Sequence, residues 1–352
     1  MKLLTYQFEE SDLTQEWRVA KFDLDNVNLL AGISGVGKTR LLNTIINLSW
    51  MIQKKGVLFT GKWDFSFKID NKMYNYQLDI DRNINTRKSF VKKEILSYNN
   101  TRLIDRTSDK FIFRNKELPK LTSEDIGLYL LKNEQDIKKI FEEFSKIYIR
   151  RLNPNYFQEP DTPLGIIPKD LLNKSKDTFS LSYIQNNFRD VNTQLFFLKE
   201  YHADVFNKIE GRFKEIFPFV LSLDVQPANE IKNINLPKLA LDVFMPILLI
   251  KEKSVKNRIP VLNLSSGMLR AIIQLVDIYT IPEGSIYLID ELENSMGFQS
   301  LDLMVEILLD QSDKIQFIFT THHPYIFNNV NIKYWKVLTR QGSIVTVNSG
   351  EE

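Results

Sequence analysis

The chain has 352 residues, 43% of them hydrophobic and 26% charged, enough for one large or two ordinary domains with a sizeable core. Forty-six basic against 44 acidic residues leave a net charge of +2, which gives no general attraction to nucleic acid or to an anionic membrane. There is no cysteine, so disulfides, thiol catalysis and cysteine-ligated zinc are excluded.

Residues 1–10 carry too short an apolar run, followed too closely by acids, for a secretory signal. No window approaches the roughly 18 uncharged apolar residues of a membrane span. Residues 239–250 are the most apolar, and Asp242 and Pro246 interrupt them. The expectation is a soluble, cytoplasmic protein with no membrane partner. Residues 2–8 and 17–22 read as strands. Residues 26–31 read as a short strand that runs into Gly32-Ile33-Ser34-Gly35-Val36-Gly37-Lys38-Thr39. That octapeptide fits G-x-x-x-x-G-K-[ST], the phosphate-binding P-loop. Its glycines allow a tight concave turn, so that the N–H groups of Ser34, Gly35, Val36, Gly37, Lys38 and Thr39 can converge on phosphate oxygens. Lys38 supplies charge for the β- and γ-phosphates of a nucleotide, and Thr39 a hydroxyl for Mg²⁺. Leu41, Leu42, Ile45, Ile46, Leu48 and Ile52 then recur at helical spacing, which points a helix N-terminus at the anion.

Residues 63–70 and 73–80 alternate with period two around Asn71-Lys72, a hairpin pattern that residues 92–98 and 110–113 continue. An antiparallel β-subdomain is expected. Arg82, Arg87, Lys88, Lys92 and Lys93 are interleaved with Asp79, Asp81 and Glu94; they read as a solvated face, with a nucleic-acid patch as the alternative. Residues 122–150 look helical, with an amphipathic run over 136–144 and a candidate strand at 146–151. Pro154, Pro160, Pro163 and Pro168 make 152–170 a loop. Residues 190–217 read as one long helix that Pro218 stops. His202 lies within it and receives no role. Strands are expected at 220–225, 239–243 and 247–252.

Three stretches near the C-terminus complete the pattern. Ser265, Ser266 and Gly267 open a helix over 269–279, where hydroxyls and backbone N–H groups meet a positive helix end; an ordinary helix cap is the alternative. Ser285-Ile286-Tyr287-Leu288-Ile289-Asp290-Glu291 is an apolar run ending in two acids, as in a buried parallel strand with its chemistry at the C-terminal edge. Asp290 is placed to hold Mg²⁺, and Glu291 to orient and deprotonate the attacking water. A strand followed by an acidic helix cap is the other reading. Ile315-Gln316-Phe317-Ile318-Phe319-Thr320-Thr321-His322-His323-Pro324 is a second such strand. One of its histidines could contact the γ-phosphate or the water. A metal-binding pair is the alternative, although adjacent side chains of an extended segment face opposite ways.

In order and residue type these stretches resemble the ABC-type ATPase superfamily. Residues 32–39 resemble Walker A, 264–268 the signature motif, 286–291 Walker B with its catalytic glutamate Glu291, 292–297 the D-loop, and His322 the switch histidine. Ser-Ser-Gly-Met, Asp-Glu-Leu-Glu-Asn and Thr-Thr-His-His-Pro resemble the SMC-like and OLD-like stand-alone AAA ATPases, a group that includes components of bacterial anti-phage defence systems. The resemblance covers mainly residues 1–60 and 215–340. Ser266-Gly267 in place of a glycine pair, together with the long insertion, sets the chain apart from transporter ATPases. The sequence has no coiled-coil arm and no cysteine hook. Only 30 residues follow His322, ending in an expected hairpin over 336–347, too few for the additional nuclease domain of OLD proteins. A glutamine that senses the γ-phosphate is also expected; Gln158 is a candidate, and a plain loop glutamine is the alternative.

The resemblance implies an α/β fold: a P-loop NTPase of the ABC-type ATPase head, with an antiparallel β-subdomain and a helical insertion. The expected division is an N-terminal lobe at 1–120, an insertion at 121–218 and a C-terminal lobe at 219–352. It also implies a homodimer, or a higher homo-oligomer, in which Ser265, Ser266 and Gly267 of one chain cap the ATP held by Walker A of another. The absence of a second catalytic constellation suggests a separately encoded effector, a nuclease or toxin, under nucleotide control. The alternatives are a slow-turnover scaffold that sequesters an effector, and a DNA-repair-type ATPase, which the near-zero net charge disfavours.

Overall fold

The computed structural model describes residues 1–11, 16–99, 101–119, 122–150, 165–231 and 243–351. Gln158, Pro154, Pro160, Pro163 and most of the strand expected at 239–243 lie outside them. The chain divides into two compact units. One comprises Met1–Arg150, Glu283–Leu292 and Ser312–Glu352, and the other Arg151–Pro282 and Glu293–Gln311. These divisions fall elsewhere than the expected boundaries at 120 and 218. Residues 122–150 belong with the N-terminal residues because Ile126, Leu128, Ile137, Ile140, Phe144 and Ile147 enter the same apolar core as Phe65 and Ile45.

In the first unit the strands are β1 (Lys2–Glu9), β2 (Arg18–Asp23), β3 (Val27–Ala31), β4 (Gly61–Ile69), β5 (Lys72–Arg82), β6 (Ser89–Tyr98), β7 (Thr101–Thr107), β8 (Phe111–Phe113), β9 (Lys116–Glu117) and β10 (Ile147–Arg150). Helix α1 (Lys38–Ile52) follows β3, and α2 (Gly127–Leu130) and α3 (Gln135–Phe144) precede β10. The second unit carries β11 (Ile167–Pro168), α4 (Lys169–Leu172), α5 (Leu181–Asn187), α6 (Val191–Tyr201), α7 (Ala203–Ile216), β12 (Val220–Pro227), β13 (Val243–Phe244), β14 (Pro246–Glu252), β15 (Ile259–Pro260) and α8 (Ser266–Thr280). The chain then supplies β16 (Ile286–Ile289) to the first unit and α9 (Phe298–Asp310) to the second. It ends in the first with β17 (Gln316–Thr320), α10 (Pro324–Asn329), β18 (Trp335–Gln341) and β19 (Ile344–Ser349).

Fourteen strands of the first unit form one sheet in the order β10-β16-β17-β3-β18-β19-β2-β1-β4-β5-β6-β7-β8-β9. The hairpins expected as an antiparallel β-subdomain pair antiparallel and extend the sheet that carries the P-loop. β10, β16, β17, β3 and β18 run parallel, and β1 and β4 through β9 pair antiparallel. The central strands are buried on both faces, all five residues of β3 and of β17 included, which is why they read as unbroken apolar runs. The outer hairpins alternate because one face packs on an aromatic core of Tyr6, Phe65, Phe67, Tyr76 and Phe144.

The helix expected over 190–217 is two helices. The chain leaves helical geometry at His202 (φ −138°, ψ 58°), where the ring Nε2 lies 2.6 Å from the Phe179 carbonyl oxygen. The apolar residues on either side kept a helical period across the break, and so concealed it. Among the described residues no helix is long and apolar enough to cross a membrane.

Candidate nucleotide-binding site

The parallel register brings three loop starts to one sheet edge. Thr320 pairs with Leu30 across β17 and β3, and Ile289 with Phe319 across β16 and β17. The residues that follow each strand, Gly32 to Thr39, Asp290 with Glu291, and Thr321 with His322, therefore emerge side by side. The carboxyl edge of parallel strands is where open α/β sheets bind ligands.

Gly37 occupies the N-cap of α1 in the left-handed region (φ 116°), and no side chain caps the helix or places an acid in its first turn. The first amides of a 15-residue helix are thus left to backbone or ligand. Gly35 also has positive φ (79°), with no neighbouring atom within 4 Å of where a β-carbon would stand. The Lys38 stem is buried, and its Nζ donates to the carbonyl oxygens of Gly32 (2.7 Å) and Ile33 (3.2 Å). The same Nζ lies 3.5 Å from His322 Nδ1. Trp17 lines the other side of the loop beneath Gly37, with the Arg40 guanidinium 4.5 Å above its ring and Glu10 paired to Arg40.

Thr39 Oγ1 donates to Asp290 Oδ1 at 3.1 Å. These are hard oxygen donors of the kind Mg²⁺ takes alongside phosphate and water. The described residues hold no group of three or more His, Asp or Glu side chains that could cage a metal unaided. The donor set fits a cation that shares its ligands with a phosphate. The backbone N–H of His323, the second member of the alternative metal pair, donates to Thr321 Oγ1 at 3.0 Å.

Thr320 lay outside the expected set. Its hydroxyl donates to Asp290 Oδ1 (2.8 Å) and accepts from the Glu291 N–H (2.7 Å), and its carbonyl accepts from the Leu292 N–H (3.0 Å). The available signal was a polar residue at the end of an apolar strand. Glu291 itself has φ 52° and an exposed side chain.

In the second unit, Ser265 is the N-cap of α8, and its Oγ accepts from the Met268 N–H at 3.3 Å. Ser265 and Ser266 are exposed, and Gly267 lies against the backbone of Ser295. The helix-cap reading of Ser265 therefore holds, and it leaves the Ser266 hydroxyl at an exposed helix start.

The mixed α/β fold, with its large sheet and P-loop, matches that of ABC-type P-loop ATPase heads. A solved structure described as the SmcHead bound to the C-winged helix domain of ScpA superposes with a TM-score of 0.56 at 11% identity, covering 99% of this chain and 98% of that one. The SMC head domain from Thermotoga maritima gives a TM-score of 0.47 at 12% identity, with 99% of each chain covered. No curated protein matches the sequence. The chain belongs to the family described as "AAA domain, putative AbiEii toxin, Type IV TA system", which matches residues 27–328.

Proposed function

We propose that this chain binds and hydrolyses ATP, and that two copies closing on the nucleotide control a separately encoded effector. The observation that carries the reading is the meeting of Lys38, Thr39, Asp290 and His322 at the ends of adjacent parallel strands. The amides of Ser34 to Thr39 receive the β- and γ-phosphates, and Lys38 moves its ammonium from the loop carbonyls to phosphate oxygens. Thr39 and Asp290 hold Mg²⁺, which when bound neutralises charge on the phosphates. Glu291 takes a proton from water as the water oxygen bonds to the γ-phosphorus. The bond to the bridging oxygen breaks, and ADP leaves with that electron pair. His322, 3.5 Å from the Lys38 ammonium, orients the γ-phosphate or the water.

Ser265, Ser266 and Gly267 act on the nucleotide held by a second copy, so ATP favours the closed pair by its greater affinity for that state. The family description names an AAA domain and a "putative AbiEii toxin, Type IV TA system", which supports linking the nucleotide site to an effector activity. A cytoplasmic setting in bacterial anti-phage defence is the corresponding biological reading.

Light scattering on Glu291→Gln, with and without Mg-ATP, tests this together with the wild-type hydrolysis rate. The expected result is a doubling of mass with ATP in the variant and phosphate release only by the wild type. A mass indifferent to ATP would remove the sandwich, and absent turnover in the wild type would remove the enzyme.

A further inference from the structure

We infer that Thr320 is a positioning residue for ATP hydrolysis: it sets the Walker B carboxylate and the peptide of the general base through one hydroxyl. The inference rests on reading Glu291 as that base, and it assigns work to the first residue of Thr-Thr-His-His-Pro, which the resemblance left without a role.

A threonine hydroxyl has one hydrogen to donate and lone pairs to accept. At Thr320 the donor goes to Asp290 Oδ1 at 2.8 Å, and an acceptor position takes the Glu291 N–H at 2.7 Å. The side chain is 1% exposed, so water cannot readily replace it. The Thr320 carbonyl meanwhile accepts from the Leu292 N–H at 3.0 Å. Three consecutive residues, Asp290, Glu291 and Leu292, are therefore tied to one residue of the adjacent parallel strand.

The tie has a local purpose. Glu291 sits at φ 52°, a left-handed conformation that is unfavourable for a non-glycine residue and persists where the surroundings over-determine it. A glutamate in extended geometry at the end of β16 would send its carboxylate elsewhere. The left-handed turn sets its direction, and the Thr320 hydroxyl holds the amide at that turn. The same hydroxyl fixes the Asp290 oxygen that also receives Thr39 Oγ1 at 3.1 Å. The metal-side carboxylate and the base thus share one anchor. Because β17 continues directly into Thr321 and His322, the strand that carries the switch histidine also carries this anchor.

Thr320→Val is nearly isosteric and removes only the hydroxyl. Thr320→Ser keeps the hydroxyl and removes the methyl, and Thr320→Ala serves if the valine variant does not fold. Hydrolysis with Mg-ATP, ATP affinity in EDTA, and amide hydrogen exchange of a peptide spanning Ile289 to Leu292 without nucleotide are measured on each, beside the wild type and Glu291→Gln. In Thr320→Val, kcat should fall about 10- to 100-fold, the range for loss of a partner that orients a functional ligand. KM and the affinity in EDTA should stay within about twofold, since the P-loop is untouched. The Glu291 amide should exchange at least about tenfold faster, reflecting one lost hydrogen bond. Thr320→Ser should recover both kcat and protection.

Wild-type kcat and protection in Thr320→Val would overturn the inference. A loss in Thr320→Val that serine does not restore would also overturn it, because packing rather than the hydroxyl would then be responsible. If Glu291→Gln retains turnover, the reading of Glu291 as base fails and the kinetic role of Thr320 falls with it, whatever the exchange data show. If Glu291→Gln is inactive and Thr320→Val is not impaired, only the present inference fails.

Discussion

Gly267 and Ser295 approach so closely that a β-carbon on residue 267 would stand 2.4 Å from the Ser295 carbonyl oxygen. Gly267, proposed above as part of the signature motif, is thus held by packing as well as by any dealings with nucleotide. Its neighbour is backbone in a turn where Ser295 has φ 65°, so the contact cannot be relieved by rotating a side chain. Gly267→Ala should cost about 1–3 kcal/mol, the usual penalty of overpacking, and should speed amide exchange over residues 293–297. Urea denaturation and exchange on the protein without nucleotide check this. Unchanged stability and exchange would show that the loop yields freely and that the glycine serves the ligand alone.

Gly37 makes the corresponding demand in the P-loop, through both φ and space. It is left-handed at φ 116°, and a β-carbon there would meet Trp17 Cζ2 at 3.1 Å. The indole is buried between the loop and the Arg40 guanidinium, so it reports on the loop's shape. Gly37→Ala should abolish ATP binding and shift the tryptophan emission, and a Trp17→Phe background should remove that shift. Binding equal to wild type would mean that the loop tolerates a different path and that its glycine pattern is not needed for phosphate.

Much of this was legible in the sequence, for identifiable reasons. Buried parallel strands write themselves as apolar runs, so residues 26–31, 285–289 and 315–320 announced both their strands and the polar residues at their ends. The P-loop is a local motif whose residues act through nearby backbone. Thr320 was missed because its partners are 28 to 30 positions away in the chain, and only strand register brings them together. The break at His202 was missed because hydrophobic period reports which side of a helix is buried and not whether its backbone is continuous. The union of hairpins and core sheet depends on β19 pairing with β2, a contact between opposite ends of the chain that no local pattern encodes.

Glu94 is a carboxylate buried within the first unit, where it binds the segment before α3 to the hairpins. It accepts from Tyr76 Oη (2.8 Å) and from the N–H groups of Gly127 (2.6 Å) and Leu128 (3.0 Å), with the Arg106 guanidinium 3.7 Å away. Arg106 in turn donates to the carbonyls of Asp125 and Thr122, each at 2.7 Å. In Glu94→Gln an amide NH₂ must face one of these donors, so about 1–3 kcal/mol should be lost. Burial raises the Glu94 pKa above the ordinary carboxylate range, against the opposing pull of Arg106 and the hydrogen bonds. A raised folded-state pKa gives stability that is fully present below the unfolded pKa and is lost as pH rises through the folded one. The stability difference between wild type and Glu94→Gln should therefore shrink as pH climbs from the ordinary carboxylate range through the raised value. Denaturant melts at a series of pH values measure it, and a difference that grows with pH would reverse the assignment.

Lys38 and Thr39 are adjacent in sequence and should fail differently. The Lys38 ammonium rests on the Gly32 and Ile33 carbonyls, within reach of any phosphate the loop receives, and its attraction to phosphate requires no metal. Thr39 meets Asp290 through its hydroxyl, and its contribution to nucleotide affinity is expected to pass through Mg²⁺. A hydrogen bond to a charged group contributes about 1.5–3 kcal/mol, so Lys38→Met, which keeps the buried stem, should weaken ATP binding roughly 10- to 100-fold with or without Mg²⁺. Thr39→Ala should weaken it by a similar factor in Mg²⁺ and leave it nearly unchanged in EDTA. Titration with a fluorescent ATP analogue in the two buffers separates the cases. Wild-type affinity in Lys38→Met would remove the phosphate reading of the loop. Equal losses for Thr39→Ala in both buffers would assign Thr39 to holding the start of α1 and leave Asp290 without a partner in binding the cation.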